Sequence, residues 1–324
     1  MGTAGRLAWV GAAVVAVLAP LFLDVFWTSL LIQILVFGLL ALSVDLLLGH
    51  TGLFPLGHAA IFAVAAYTTA ILEARHAFPT LLAAPAGVVA AVILAAVFGL
   101  GVRTGGVYFI LVTLAMGYIV WGVSLRWASF TGGDNGVGNV PLPALGSLSI
   151  TGLSSYYYVV LIVVAVCAMG YHLLVRSPFG LALRGIRESE SRMRALGYNV
   201  VAHKFAAFLL SGLFAGVAGV LYVYWNRFVS PATAHFLVSA EAALMVILGG
   251  AGTILGPFIG SAIILGIRNY VSAYLVQWMT VMGLVFIVTV LWAPHGLLGL
   301  LRRFRARSRT ARPERGLGVA AARD

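Results

Sequence analysis

Charged residues are scarce in this sequence. Asp, Glu, Lys and Arg make up only 9% of its 324 residues, whereas 62% are apolar and the mean hydropathy is +1.05. Soluble domains carry about 25% charged residues, so this composition excludes a water-soluble fold. We therefore expect a chain whose solvent is the hydrocarbon of a lipid bilayer.

Cysteine is almost absent as well. The one cysteine, Cys167, lies inside an apolar run from 156 to 175, which excludes a disulfide framework and a thiolate metal site. His50 and His58 flank a glycine-rich stretch without a third ligand nearby, so no metal is predicted. The sequence also lacks the dense cluster of His and Asp that an intramembrane enzyme needs. The chain is therefore not predicted to be an enzyme.

Long apolar runs, in contrast, recur along most of the chain. A hydrocarbon core of about 30 Å takes about 20 helical residues to cross. The sequence predicts an all-α polytopic membrane protein with about ten transmembrane helices. Their approximate bounds are 7–23, 29–48, 57–73, 81–101, 107–126, 156–175, 205–224, 237–251, 255–270 and 274–292. Because the last three are short and glycine-rich, nine crossings with one re-entrant segment is the alternative count.

Arginine concentrates in two places. The segment 176–204 holds six basic and two acidic residues, and the tail 302–324 holds eight arginines and two acidic residues. Lys and Arg accumulate in short cytoplasmic loops, so both segments and both termini are expected in the cytoplasm. We divide the chain into a transmembrane domain, 1–301, and a basic, disordered tail that is attracted to anionic lipid. No nucleic-acid binding is expected, since the tail begins directly at a helix end and holds one aromatic residue.

The segment 177–204 is predicted to form a helix outside the membrane. Ser177 and Pro178 are typical of a helix start, and Gly197 is typical of a helix end. At 3.6 residues per turn, five apolar side chains gather on one arc, away from the arginines. They are Phe179, Leu183, Ile186, Met193 and Leu196. Such a helix can rest on lipid headgroups or dock on a cytoplasmic protein, and amphipathicity alone does not separate the two.

Five stretches of the sequence, in the same order, are similar to the permeases of branched-chain amino acid ABC transporters of the LivM type. The stretch SPFGLALRGIRESESRMRALGYNV looks like the cytoplasmic coupling segment of that family. The others are ALSVDLLLGHTGLFPLGHAAIFAVAAYTTAIL (41–72), GGVYFILVTLAMGYIVWGVSLRWASFTGGDNGVGNVP (105–141), LMVILGGAGTILGPFIGSAIILG (244–266) and APHGLLGL (293–300). The resemblance covers roughly residues 30 to 300. The chain departs from the family pattern at Pro55, Ala63 and Ala65, changes that concern the choice of solute more than the fold.

The resemblance implies the channel-forming permease subunit of an ABC importer in the bacterial inner membrane, for branched-chain amino acids or a similar small solute. It implies as partners a second homologous permease subunit, two cytoplasmic ATP-binding subunits and an extracytoplasmic solute-binding protein, besides membrane lipid. ATP and Mg would bind to the ATP-binding subunits, so no cofactor is expected on this chain. Permeases for urea, short amides and aromatic acids share much of the pattern, and they stay open as alternatives. An ion-coupled secondary transporter is the alternative from a different class.

The segment 177–204 is predicted to couple the chain to the ATPase. Four side chains of its apolar arc would enter a groove on that partner: Phe179, Leu183, Ile186 and Met193. Glu190 projects on the apolar side, where the partner would supply a hydrogen-bond donor, because burying a bare carboxylate is costly. Gly197 would end the coupling helix.

Two glycine-rich breaks interrupt the apolar runs and predict a solute pathway. Non-helical backbone at membrane depth is tolerated only where protein or a water-filled cavity satisfies it, and ionisable residues there are costly enough to indicate function. The pathway candidates are Asp45, Gly52, Gly57, His58, Glu241, Gly250, Gly252 and Arg268. Asp45 or Glu241 would suit an ammonium group, and Arg268 can neutralise either. Tight turns with close helix packing, and charges that pair structurally or reach water, are the alternatives.

The loop 128–155 carries the turn residues of an ordered extracytoplasmic excursion. Three of its polar residues are expected to meet a solute-binding protein or to gate the entrance. They are Thr131, Asp134 and Asn135. A simple polar connection is the alternative.

Overall fold

The computed structural model describes residues 23–145, 148–150 and 152–271, together with the single residues 20, 274, 280, 283, 284, 287, 296 and 297. Most of the predicted crossings 7–23 and 274–292 lies outside the described residues. The tail 302–324 lies outside them entirely.

The described residues are mainly helical. Their α-helices are α1 Val25–Leu48, α2 His58–Ala74, α3 Thr80–Gly99, α4 Val107–Arg126, α5 Ala128–Thr131, α6 Leu153–Arg176, α7 Pro178–Glu188, α8 Glu190–Ala195, α9 Val200–Asn226, α10 Phe236–Gly249 and α11 Gly256–Val271. Short 3-10 turns cover Leu100–Arg103, Gly133–Asn135 and Pro231–Ala234. A two-residue hairpin pairs β1, Ala144–Leu145, antiparallel to β2, Leu148–Ser149.

The architecture agrees with an all-α membrane protein. Within the described part of the chain, five helices are long and apolar enough to cross a bilayer: α1, α3 with its 3-10 extension, α4, α6 and α9. The helices α2 and α10 are apolar but shorter. Each predicted crossing from 29–48 to 255–270 falls on one of the helices α1 to α4, α6 and α9 to α11.

The helix ends gather at two opposite ends of the bundle. We call one the basic end, because α7 and α8 lie there between α6 and α9, and the other the loop end, after the excursion 127–152 between α4 and α6. Gly49, which follows α1, accepts a hydrogen bond from Arg187 of α7, so α1 ends at the basic end. Arg75, which follows α2, donates to the carbonyl of Phe130 at 2.7 Å, so α2 ends at the loop end.

Helices α1 and α9 form the centre of the bundle. Within their apolar windows, 78% of α1 and 67% of α9 is buried, against 22% of both α4 and α6. Helix α9 packs against α1, α2 and α3, and α1 also packs against α6, α10 and α11. Large apolar side chains on α3, α4 and α6 are exposed, among them Ile93, Ile119 and Val166. These three helices therefore present apolar surface to lipid or to another membrane subunit.

Glycine sets the distance between several helices. A Cβ atom at Gly219 of α9 would lie 2.1 Å from the carbonyl oxygen of Phe62 in α2, and one at Gly260 of α11 would lie 1.8 Å from the carbonyl oxygen of Met245 in α10. No larger residue fits without moving a helix. Small residues provide this packing in membranes, where lipid supplies no hydrophobic drive for helices to associate.

Candidate functional site

The coupling segment, which we define as α7 and α8, is helical and is broken once. Ser177 caps α7 with its side chain and Pro178 occupies the first position, as predicted. The prediction of a single helix is wrong, because Ser189 adopts extended backbone and its hydroxyl caps α8. A serine that accepts backbone N–H bonds offers the chain an alternative to continuing the helix. Gly197, with a φ of +86°, follows the end of α8 as expected.

The apolar arc of the coupling segment faces the rest of the chain. Leu183 is fully buried, and Phe179 stacks on the ring of His203 of α9 with 5.8 Å between the ring centroids. A separate buried cluster joins α7, α8 and the start of α9. It consists of Ala182, Ile186, Met193 and Val200. These residues fix the segment on the bundle, and the opposite face is exposed. The prediction that Leu196 lies on the same arc is wrong, because Leu196 follows the end of α8 and is 66% exposed.

Glu190 finds its hydrogen-bond donors within the chain. Lys204 of α9, which is only 3% exposed, donates to one carboxylate oxygen, and Arg194 donates to the other at 3.1 Å. The expectation that a separate protein supplies the donor is therefore corrected. Because Lys204 is buried, its ammonium group needs this carboxylate as much as the carboxylate needs a donor.

The two glycine-rich breaks meet at the basic end. The backbone N–H of Gly252, in the turn between α10 and α11, donates to Oδ1 of Asp45 at 2.7 Å. A Cβ atom at Gly49 would lie 2.4 Å from the Gly252 nitrogen, so the two backbones are in contact. Gly52 and Gly252 both have a φ of +77°, and Gly250 has a φ of +117°. Residues with a Cβ rarely adopt these angles, so the sequence needs glycine there.

Asp45 is fully buried in the last turn of α1. Its Oδ2 accepts the hydroxyl hydrogen of Tyr171 of α6 at 2.6 Å, and its Oδ1 accepts the Gly252 N–H. The Nδ1 atom of His50 lies 3.7 Å from Oδ2. Both carboxylate oxygens are thus bonded to groups of this chain. Sequence reasoning missed Tyr171, which is 126 positions away and lies in an ordinary apolar run.

Gly57 and His58 lie deeper in the bundle. The stretch 53–57 is non-helical and largely buried, and Thr113 of α4 accepts one of its backbone N–H groups at 3.2 Å. A Cβ atom at Gly57 would lie 2.5 Å from the Thr113 carbonyl oxygen. The Nε2 atom of His58 is hydrogen-bonded to the Ser211 hydroxyl of α9 at 2.6 Å. A side chain of a neighbouring helix therefore satisfies part of the non-helical backbone inside the bundle.

Glu241 and Arg268 form a separate pair. Arg268, in the last turn of α11, donates to the Glu241 carboxylate of α10 at 3.2 Å, and its guanidinium lies 5.7 Å from the centre of the Phe37 ring. Glu241 is eight residues before the end of α10, about 12 Å along the helix from the glycine junction. The structure therefore brings Asp45, Gly52, Gly252 and the coupling segment together. It keeps Gly57, His58 and this ion pair apart from them.

Glu73 is an intramembrane carboxylate that sequence reasoning missed. It is 5% exposed, near the loop end of α2, and it accepts the hydroxyl hydrogen of Tyr224 of α9. Its other oxygen has no hydrogen-bond partner among the described residues. Its position as the last residue of the predicted crossing 57–73 was the signal available in the sequence.

Of the three polar residues that are expected to meet a solute-binding protein or gate the entrance, two are exposed. Thr131 is buried and donates to backbone carbonyls at the end of α4, at 2.7 and 2.8 Å. Asp134 and Asn135 are exposed in a 3-10 turn. An antiparallel bridge between Val137 and Val229 fixes the excursion to the end of α9. The described part of the excursion is thus attached to the bundle, and Asp134 and Asn135 are two exposed polar side chains on it.

An apolar cavity of about 230 Å³ lies between α2 and α4 toward the loop end. Val64, Tyr67, Val120 and Trp127 are among the side chains that line it. The Tyr67 hydroxyl has no hydrogen-bond partner among the described residues. Of the predicted site residues, only Thr131 borders this cavity.

Known proteins resemble this chain over most of its length. The family described as branched-chain amino acid transport system, permease component, matches residues 5–290. The chain is 29% identical over 316 residues to the high-affinity branched-chain amino acid transport system permease protein LivM of Salmonella typhimurium, covering 89% of this chain and 74% of that protein. It is also 29% identical over 324 residues to LivM of Escherichia coli, covering 92% and 76%.

A shorter stretch of the chain is similar to a permease that is named for a different solute. The guanosine ABC transporter permease protein NupQ of Bacillus subtilis is 30% identical over 84 residues, 25% of this chain and 26% of that protein. No solved structure matches the chain. Because the family match spans most of the sequence, the chain belongs to the family of permease components of branched-chain amino acid transport systems.

Proposed function

We propose that this chain is the channel-forming permease subunit of an ABC importer that carries branched-chain amino acids or a similar small solute across the inner membrane. ATP would be hydrolysed, with Mg, on separate subunits. The observation that carries the proposal is the coupling segment. It follows α6 directly at Ser177, is fixed to α9 through Glu190 and Lys204, and leaves a basic face exposed at one end of the bundle.

The exposed face of the coupling segment is our proposed docking surface for the ATP-binding subunits. Leu183, Ile186 and Met193 are covered by this chain, so they hold the segment in place. Leu181 and Leu196, 61% and 66% exposed, are the apolar side chains available to a partner. Exposed arginines surround them and can orient a partner of opposite charge. A groove on the partner that takes apolar side chains from one helical face is a common mode of recognition.

Branched-chain amino acids are the favoured solute class. The LivM relatives match about nine tenths of the chain, whereas the guanosine permease matches a quarter of it. The apolar cavity between α2 and α4 has the kind of lining that suits an aliphatic side chain. We further propose that the basic end faces the cytoplasm with both termini, and that Asp134 and Asn135 face a solute-binding protein outside. The apolar faces of α3, α4 and α6 are left for lipid and for a second, homologous permease subunit.

Leucine uptake into liposomes tests this function. The chain would be reconstituted with its second permease subunit and the ATP-binding subunits in right-side-out vesicles, so that the ATP-binding subunits face the inside. ATP would be enclosed in the vesicles and omitted in a matched control, and the solute-binding protein would be added outside. We expect ATP-dependent leucine uptake that isoleucine and valine inhibit and that urea and guanosine do not. Inhibition by urea or guanosine alone would reassign the solute, and uptake that needs an ion gradient instead of ATP would reject the class.

A second experiment tests the docking surface. Leu181→Asp and Leu196→Asp should each prevent co-purification of the ATP-binding subunits, because they place a charge in the apolar contact. Asn139→Asp, exposed at the loop end, adds the same charge as a control and should leave co-purification intact. Co-purification by both leucine variants at the wild-type level would exclude this face.

A further inference from the structure

The basic end contains a junction at which the coupling segment and both glycine-rich breaks are joined by hydrogen bonds. Asp45 of α1 accepts the hydroxyl hydrogen of Tyr171 at 2.6 Å and the N–H of Gly252 at 2.7 Å. Tyr171 lies in α6, five residues before its end, and Gly252 lies in the turn between α10 and α11. One buried carboxylate therefore holds three separate elements of the bundle.

Arg187 connects the coupling segment to the same place. Its guanidinium donates to the carbonyl oxygen of Gly49, immediately after α1. Its aliphatic stem covers Gly52, where a Cβ atom would lie 3.2 Å from the Arg187 Cγ. The glycine-rich stretch after α1 thus contacts Arg187 of α7 on its exposed side and the Asp45 carboxylate on its buried side.

The junction is closely packed around Gly49. A Cβ atom at Gly49 would lie 2.2 Å from the Asp45 carboxylate and 2.4 Å from the Gly252 nitrogen. Close-packed interiors transmit movement, because a displaced atom meets its neighbours at once. A shift of α7 must therefore move the stretch 49–57, and a shift of α6 must move Asp45 through Tyr171.

We infer that Asp45, Tyr171 and Arg187 form a transmission joint that passes movement of the coupling segment to both glycine-rich breaks. This inference rests on the proposed function. The three residues are positioning residues, since Asp45 and Tyr171 are fully buried and Arg187 bonds to backbone. Asp45 accordingly acts on the pathway through the backbone of Gly49 and Gly252, and it does not bind the ammonium group of a solute.

Two substitutions remove the joint without removing its bulk. Tyr171→Phe deletes one hydroxyl, and Arg187→Met keeps the length of the stem but deletes the donor. In the reconstituted transporter we expect each to assemble and hydrolyse ATP, while leucine taken up per ATP falls about three- to tenfold, the range expected when one buried hydrogen bond is lost. The double variant should resemble the single ones, because residues of one network do not act additively.

Matched controls separate transmission from stability. Tyr156→Phe removes another buried hydroxyl, which lies far from the coupling segment and donates to the Leu221 carbonyl at 2.6 Å. In this variant, leucine uptake per ATP should stay at the wild-type level. Arg187→Lys keeps a donor and a charge and should restore much of the uptake lost in Arg187→Met.

The outcomes are distinguishable. If wild type transports leucine with ATP and both Tyr171→Phe and Arg187→Met keep wild-type uptake per ATP, the transmission joint is rejected while the proposed function stands. An equal loss in Tyr156→Phe also rejects it, since the effect then belongs to general packing. If wild type itself shows no ATP-dependent uptake of leucine, isoleucine or valine, the proposed function fails first.

Discussion

Gly49→Ala is the substitution that tests the contact between the two glycine-rich breaks most simply. Gly49 has a φ of −78° and a ψ of −30°, which alanine adopts freely, so the cost of the substitution is steric. The new Cβ would lie 2.2 Å from the Asp45 carboxylate oxygen and 2.4 Å from the Gly252 nitrogen, and both distances are below the 3.0 Å that real Cβ atoms keep. The two backbone segments must therefore separate.

The expected destabilisation follows from two contributions. Overpacking a close contact costs about 1–3 kcal/mol. Stretching the hydrogen bond from the Gly252 N–H to the buried carboxyl group of Asp45 costs up to about 3 kcal/mol more. The better helix propensity of alanine offsets about 0.5–1 kcal/mol. At an unfolding entropy of about 2.1 cal/mol/K per residue, a net loss of about 3 kcal/mol corresponds to a fall of about 4 °C in the apparent Tm of a chain of 324 residues.

Thermal unfolding of the purified chain in detergent, at one fixed scan rate, measures this change. Gly170→Ala in α6 is the control, because a Cβ atom there meets nothing within 4 Å. It should leave the apparent Tm unchanged or slightly higher. If Gly49→Ala unfolds at the same temperature as Gly170→Ala, the two backbones are not in contact and the argument for the junction fails.

Three further predictions concern other parts of the chain. Arg268→Met leaves Glu241 unpaired, so it should lower the free energy of unfolding by about 1–3 kcal/mol and the apparent Tm with it. Adding Glu241→Gln should recover part of the loss, and a double variant as unstable as the sum of the single ones would contradict the pairing. Glu190→Gln should leave Lys204 buried without its carboxylate, and it should therefore speed trypsin cleavage at Arg192 and Arg194. Glu188 is exposed, so Glu188→Gln should not change the cleavage rate. Equal cleavage of the two variants would contradict the role of Glu190 in anchoring the coupling segment. On a Cys167→Ala background, Ser191→Cys should react with a membrane-impermeant thiol reagent only after the cells are opened, whereas Asn139→Cys should react in intact cells. The reverse pattern would invert the proposed orientation.

Sequence patterns identified the helices because hydrophobic length is a local property. The run from 29 to 48 and the run from 107 to 126 coincide closely with α1 and α4. The start of α7 at Ser177 and Pro178 was equally visible, since helix caps are read from neighbouring residues. The break at Ser189 was not, because the arcs before and after it have the same apolar character.

Partners that are distant in sequence could not be predicted. Tyr171 bonds to Asp45 across 126 positions, and Tyr224 bonds to Glu73 across 151. Both tyrosines sit in apolar runs where nothing distinguishes them from packing residues. The apolar arc of the coupling segment illustrates the same limit, because periodicity shows that a face is buried but does not show whether this chain or another one covers it.

The most direct measurement is leucine accumulation by liposomes that contain the complete transporter, compared with liposomes made without this chain. With ATP supplied to the ATP-binding subunits and no ion gradient, we predict that leucine accumulates only when this chain is present, and that Leu181→Asp abolishes it. Accumulation without this chain, or accumulation that follows an imposed ion gradient and ignores ATP, would contradict the assignment of this chain as an ABC permease subunit.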